Sequence, residues 1–435
     1  MLLKTTLHND LPTLDDKLDW TPELNRISQR ILDFPTPHVL GIHGDWGSGK
    51  TSFMRQVQLS LGGNMPDDAS VAPSISFLEN KKKDLEKKVV TIWFDAWRYQ
   101  NEPAPIIALL QEMRRQMAAL PVVINKFKKI GEIAAFSVLD SLSDIGKAIG
   151  CEVLPSTEKI EKRGEKWEKE HYAETLTTNS IREHLHKTIK CLLPTIDARV
   201  VIFIDDLDRC NPKAAIRLLE GLKIYMSIPD CVFVLGMNER ILVDAIREEI
   251  SAPKDISQEE LKLRASHYLE KICTDIYRLP LPNTPSLLLG KWLQETGHTQ
   301  SIQLAIGTSA CLPPNPRRLK ALANQWSRFA ACTPFPNTVP EQNIWAVRVL
   351  VAAYIHQFHR DLWERWHFNA NFWNEILAWC NGERETAKPD WANSLKMPHK
   401  IDGFDETSSQ AKIKAIYLNP GDIDNFWIGA LIQVL

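Results

Sequence analysis

The string Gly44-Asp45-Trp46-Gly47-Ser48-Gly49-Lys50-Thr51 has the residue types and spacing of a loop that closes around an anion. Its glycines let backbone amides turn inward, and the residues from Lys50 onward read as a helix whose positive end faces the same point. The chemistry is polyphosphate binding. Lys50 is expected to reach the β and γ phosphates of a nucleotide and Thr51 to ligate Mg²⁺, with Gly44 to Thr51 and the adjoining Ser52 lining the phosphates. A glycine-rich turn with an incidental lysine is the bland alternative. It is disfavoured because a strand-like run precedes the loop and a helix-like run follows it.

A second string, Val200-Val201-Ile202-Phe203-Ile204-Asp205-Asp206, reads as an apolar strand ending in paired carboxylates. Asp205 is the expected Mg²⁺ partner, and Asp206 the candidate that orients or deprotonates an attacking water. Either could instead cap the next helix. A third run, Gly236-Met237-Asn238-Glu239-Arg240, follows another apolar segment. In nucleoside triphosphatases with a strand inserted between the two motif strands, a polar residue here lies near the γ phosphate. Asn238 is thus a candidate sensor, and equally a candidate cap for a helix beginning at about Arg240.

The elements that must position these residues are short β-branched runs alternating with longer helical stretches, which is the pattern of a parallel sheet wrapped by helices. Strands are expected at Val39 to His43, Val89 to Phe94, Val200 to Ile204, Cys231 to Leu235 and Ile276 to Leu279. Each is short and largely apolar, as strands buried on both faces are. The fold class is α/β: a parallel-sheet core at 1–101 and 198–282 interrupted by a helical insertion at 102–197. A helical lid at 283–330 and a helical, Trp-rich C-terminal region at 331–435 follow. The insertion carries an alternating-charge run, Glu158 to Glu170, that favours a solvated helix. Seven of the 14 tryptophans fall in residues 345–435.

Composition narrows the function classes. With 52 basic and 54 acidic residues the net charge is -2, so no global field draws in nucleic acid or an anionic membrane. The lysine clusters at Lys81-Lys82-Lys83, Lys87-Lys88 and Lys126 to Lys129 leave local nucleic-acid contact open, although a solvated charged face explains them more simply. The eight cysteines are scattered singly with no C-x-x-C pair, and read as buried thiols of a reducing compartment. No signal peptide is visible. The most apolar stretch, Ile130 to Leu154, is cut by five charged residues, too often for a membrane span of about 18 or more apolar residues.

Six ordered strings together resemble the KAP family of P-loop NTPases, relatives of the AAA+ and STAND signalling groups. They are Asp16-Lys17-Leu18-Asp19-Trp20, Gly41 to Thr51, Trp93-Phe94-Asp95-Ala96-Trp97-Arg98-Tyr99, Ile204-Asp205-Asp206-Leu207-Asp208-Arg209, Tyr268-Leu269-Glu270-Lys271-Ile272 and Asn315-Pro316-Arg317-Arg318-Leu319-Lys320. The resemblance implies ATP and Mg²⁺ as cofactors, hydrolysis coupled to conformational change, and Arg317 or Arg318 as a lid sensor. It makes Arg209 a candidate to act on a neighbouring subunit's nucleotide, which requires a homo-oligomer. On the residues alone each arginine could instead be a surface ion-pair residue, the commoner fate of arginine.

Two departures stand out. Many members carry transmembrane helices in the insertion, whereas here it is charged, so a soluble, cytoplasmic protein is expected. The family often has aspartate where Asn238 stands. The resemblance stops at about Phe329. Beyond it, Trp363, Trp366 and Trp373 read as helical core, and the sharper alternative is an aromatic face for a protein partner, which the insertion could also recruit. His356 and His359 lack the companions of a metal site. The leading expectation is a soluble ATPase switch, with bacterial relatives pointing to anti-phage defence. The alternative is an ATP-binding regulatory or scaffold protein with little hydrolysis.

Overall fold

A computed structural model of the chain describes residues 7–8, 10–63, 89–102, 105–118, 189, 198–225, 229–249, 257–282, 284–294, 312–333, 335–369 and 372. In chain order these form α1 (Thr21–Asp33), β1 (His38–His43), α2 (Lys50–Ser60), β2 (Val89–Asp95), α3 (Pro105–Ala118) and β3 (Arg199–Asp205). Then come α4 (Pro212–Tyr225), β4 (Cys231–Met237), α5 (Glu239–Glu249), α6 (Gln258–Ile272) and β5 (Asp275–Arg278). The last four are α7 (Pro285–Gln294), α8 (Pro316–Cys332), α9 (Val339–Phe358) and α10 (Arg360–Phe368). Short 3-10 turns lie at Trp97–Tyr99 and Leu207–Arg209. The chain divides into two compact units, Leu11–Leu279 and Met1–Asp10 with Pro280–Leu435.

All five expected strands are present and form one sheet in the order β2-β3-β4-β1-β5. Every pairing is parallel. Alternate side chains point to opposite faces, and the two faces are equally apolar. Ile92, Phe94, Ile202, Ile204, Phe233 and Leu235 share a core with residues of α3, α4, α5 and α6. Val89, Trp93, Val201, Phe203, Val232 and Val234 share one with α1 and α2, through Ile27, Ile31, Phe53 and Val57. Burial on both faces is why the strands read as continuous apolar runs. At the outer edge, Gln116 of α3 bonds both backbone groups of Trp93, at 2.9 and 2.5 Å, which occupies an otherwise open strand edge. Of the expected insertion, α3 and Ile189 are described. The charged run and the lysine clusters lie outside the described residues.

The second unit is helical in its described part. Asn315 caps α8 by accepting the Arg318 amide at 3.1 Å, and Pro316 takes the first helical position, where its missing N–H costs nothing. Trp326, fully buried, meets Trp345 edge-on, and Phe329 stacks on Trp363. Trp326, Phe329 and Trp345 are therefore core, Trp363 is half-buried against them, and Phe368 is exposed. Trp373, Trp379, Trp391 and Trp427 lie outside the described residues, as does the side chain of Trp366. Residues preceding the first unit join in: Asn324 accepts the His8 amide at 2.7 Å and donates to its carbonyl at 2.8 Å. Among the described residues no helix is long and apolar enough to cross a membrane.

His359 ends α9 and begins α10, 6% exposed, and its Nε2 has no hydrogen-bond partner among the described residues. Burial pushes its pKa down from 6.5 to about 4. The unfolded chain therefore binds a proton that the folded unit refuses between those two values. Stability is full above pH 6.5 and is lost as the pH falls towards 4, by up to about 3 kcal/mol. Denaturant unfolding at pH 7.5 and pH 5 should show this loss in the wild type and a smaller one in His359→Leu; equal pH dependence would remove His359 as its source.

Free thiols are found at Cys210, Cys231, Cys273 and Cys332. Cys231 and Cys273 are buried as expected, whereas Cys210 and Cys332 are half-buried.

Candidate functional site

The C-terminal end of β1 is clamped from both sides. Gly44 donates its amide to Met237 of β4 at 3.2 Å, and the His43 carbonyl accepts from Leu279 at 2.9 Å. His43 Nδ1 accepts the Glu239 amide at 2.9 Å, which requires a neutral ring protonated on Nε2. Burial pushes the His43 pKa down, in the direction that this bond needs.

Past this clamp the loop turns on Gly47 and Gly49, both left-handed at φ 80° and 99°. Such angles favour glycine. A Cβ on Gly49 would also lie 3.0 Å from the Trp20 ring. Trp20 is 5% exposed and is seated by Asp16, whose carboxylate accepts its amide at 2.7 Å and the Thr21 amide and hydroxyl at 2.6 Å. The Asp16 to Trp20 string thus builds a wall against the loop. No side chain caps α2 at Gly49. Its first amides keep their donors for an anion.

Lys50 is buried at the head of α2. Its Nζ donates to the Gly44 carbonyl at 2.8 Å and the Asp45 carbonyl at 3.4 Å, and pairs with Asp208 Oδ2 at 3.2 Å. The Thr51 hydroxyl faces the Asp205 carboxyl, at the end of β3, and favours its charged form. Ser52 accepts the Thr13 amide at 3.1 Å. Asp45 and Trp46 are exposed and Ser48 is buried, its hydroxyl unpartnered among the described residues.

Asp205 is 2% exposed, and its Oδ1 finds no hydrogen-bond partner among the described residues. Burial pushes its pKa up against the pull of the Thr51 hydroxyl, the Asp206 amide and the Lys50 charge. Room for this carboxylate comes from Gly236 in β4, where a Cβ would lie 2.5 Å from Asp205 Oδ1 and 2.7 Å from Met54 Sδ. Gly236→Val should cost about 1–3 kcal/mol by overpacking and displace Asp205; urea unfolding that shows no loss of stability would mean that Asp205 has slack.

Asp206 takes a left-handed φ of 56° and turns the chain into the Leu207–Arg209 turn. Its side chain caps nothing; it pairs with Arg209 at 2.9 Å. Burial, then the neighbouring Asp205 charge, push its pKa up to about 7. Asn238 caps the helix that follows it, as one of its two readings expects. Its Oδ1 caps α5 by accepting the Arg240 and Ile241 amides at 3.1 and 3.4 Å, while its Nδ2 donates to Asp45 Oδ1 in the loop at 3.1 Å.

The structure therefore gathers Lys50, Thr51, Asp205, Asp206, Asn238 and Arg209 in one unit around the loop. Arg317 and Arg318 belong to the other unit. Arg317 makes a two-bond pair with Asp10 at 2.9 and 2.8 Å, and the Arg318 guanidinium lies 5.7 Å from the Phe358 ring centre. Sequence reasoning gave no role to Asp208 or Gly236. The D-D-x-D spacing held the signal for Asp208, because a tight turn after Asp205 brings the third aspartate back to the strand end; nothing local marks Gly236.

A parallel sheet with an anion-closing loop after one strand, paired carboxylates after another and a third strand between them defines a P-loop NTPase of the additional-strand class. Residues 21–302 match the KAP family P-loop domain. The chain belongs to the KAP family. It is similar to the phage T7 exclusion protein of Escherichia coli (strain K12), at 22% identity over 63% of this chain and 34% of that protein. The chain thus spans about a third of that relative's length. Among solved structures it is similar to the Walker-type ATPase of Pyrococcus abyssi at 11% identity, with TM-score 0.35 and 94% of this chain and 99% of that chain covered. It is also similar to the Aeropyrum pernix ORC1 protein, solved in complex with DNA, at 13% identity and TM-score 0.36 over 92% of this chain and 81% of that chain. Neither structural likeness is close enough to add to the topology seen directly.

Proposed function

We propose that the chain is a Mg²⁺-dependent ATPase acting as a nucleotide-driven conformational switch in the cytoplasm, in the service of defence against phage. The observation that carries this reading is the convergence of Lys50 and Thr51 from one strand end with Asp205 and Asp206 from another. The defence role rests on the phage exclusion relative alone.

The residues fit the implied cofactors. The unpartnered Asp205 Oδ1, the Thr51 hydroxyl beside it and the uncapped start of α2 suit a divalent cation held at nucleotide phosphates. Among the described residues no three His, Cys, Asp or Glu gather to hold a metal by themselves. Phosphate oxygens would complete the set. When bound, the cation would neutralise charge developing on the transferred phosphoryl group. Gly44 to Ser52 bind the phosphates, Lys50 draws charge from the terminal ones, Asp206 accepts the proton of the attacking water, and Asn238 senses the γ phosphate from the loop's far side. Arg317 or Arg318 would report on the nucleotide through the 283–330 lid, Arg209 would act across a homo-oligomer, and the C-terminal region or the insertion would recruit the protein partner.

The rival reading, ATP binding without turnover, draws support from the Asp206–Arg209 pair, which engages the candidate base. Phosphate release by wild type, Asp206→Asn and Lys50→Ala, which binds ATP weakly because it lacks the phosphate-contacting charge, separates the two. Release by wild type alone supports hydrolysis. Equal, negligible release by all three while wild type still binds ATP would sink the enzyme reading and leave the scaffold.

A further inference from the structure

We propose that Asp208 is a built-in competitor for the phosphate, a counter-ion that Lys50 exchanges for the nucleotide, so that it sets nucleotide affinity and transmits occupancy to the Leu207–Arg209 turn. The inference rests on the P-loop reading above and adds a positioning residue to it.

The pair is buried on both sides, with Lys50 7% and Asp208 4% exposed. A lysine ammonium is a point charge that serves one close anion well, and Lys50 already spends bonds on the Gly44 and Asp45 carbonyls. Contact with a β or γ phosphate therefore comes at the expense of Asp208. Asp208 has little to fall back on, because its Oδ1 is buried without a hydrogen-bond partner among the described residues. A buried carboxylate stripped of its counter-ion is strongly disfavoured, so departure of Lys50 forces the turn to rearrange. That turn is short, starts from the left-handed Asp206, and ends on Arg209, which pairs back to Asp206. One ion-pair exchange thus reaches the candidate base and the candidate trans-acting arginine together.

Calorimetric binding of ATP, ADP and AMP to the full chain, with EDTA present, tests this on wild type, Asp208→Asn, Lys50→Ala and the double variant. Asp208→Asn should bind ATP and ADP about tenfold more tightly, as removal of a competing state does. AMP, which lacks the β and γ phosphates, should be unaffected. In the Lys50→Ala background the Asp208→Asn gain should vanish, which a general relief of negative charge would not do. Asp208→Ser should repeat the pattern, and a larger rise of the wild-type fold's Tm on adding ATP in both variants would show that they are folded. Wild type that binds ATP with no gain in either variant, or a gain that persists without Lys50, would overturn the competitor role alone. Wild type that binds no nucleotide would overturn the P-loop reading and this inference with it.

Discussion

Asp206→Asn is expected to lower phosphate release by about 100-fold or more while leaving ATP affinity within a few-fold, the size of effect a positioned general base supplies. The same substitution should stabilise the nucleotide-free protein at pH 8. The pKa of Asp206 is pushed from 3.8 up to about 7, chiefly by burial and then by Asp205. Between those values the folded state holds a proton that the unfolded chain has lost, so stability falls as the pH rises through the window. Above it the charged side chain, 16% exposed, costs roughly 2–4 kcal/mol. Asparagine keeps the shape and removes the charge. A phosphate assay paired with thermal scans at pH 8 and pH 4 should show lost turnover together with a Tm several degrees higher at pH 8, converging at pH 4. A variant that lost both turnover and stability would have failed by misfolding, and Asp206 would lose its claim to the chemistry.

Phe53→Ala should destabilise the Leu11–Leu279 unit by about 3–5 kcal/mol, the range for emptying a large aromatic site in a core. Phe53 is fully buried in α2, edge-on to Trp20 at 5.5 Å between ring centres and stacked on Tyr277 at 5.9 Å. It joins the wall that faces the loop to the strand at the sheet's edge. Because α2 begins inside the phosphate loop, a cavity beneath its first turn should also weaken nucleotide binding. Urea unfolding of wild type, Phe53→Ala and Phe53→Leu checks the ordering, with leucine the milder change. A cost below about 1 kcal/mol for alanine would mean that this contact is slack.

In the proposed switch these residues are joined by exchangeable partners. Lys50 holds Asp208, Asp206 holds Arg209, and Asn238 holds Asp45. Each is a contact that a phosphate or its metal would contest. Order-of-magnitude changes in affinity need only small differential energies between the two sets of partners.

The sequence by itself determined the phosphate loop and the strands, because both are local. Glycines, lysine and threonine stand in one string, and strands buried on two faces must be short apolar runs whatever they pair with. It also exposed the carboxylates at the end of β3 and the break at Asn315-Pro316. Only the tertiary structure decided which distant groups meet. The parallel register that sets β4 between β1 and β3 brings Asp205 to Thr51 and puts Gly236 under its carboxylate. The left-handed turn at Asp206 swings Asp208 inward to Lys50, although neither residue type nor spacing says which of three aspartates takes the lysine. That choice depends on burial and on the direction in which each side chain leaves the backbone, and both come into being only when the sheet is assembled.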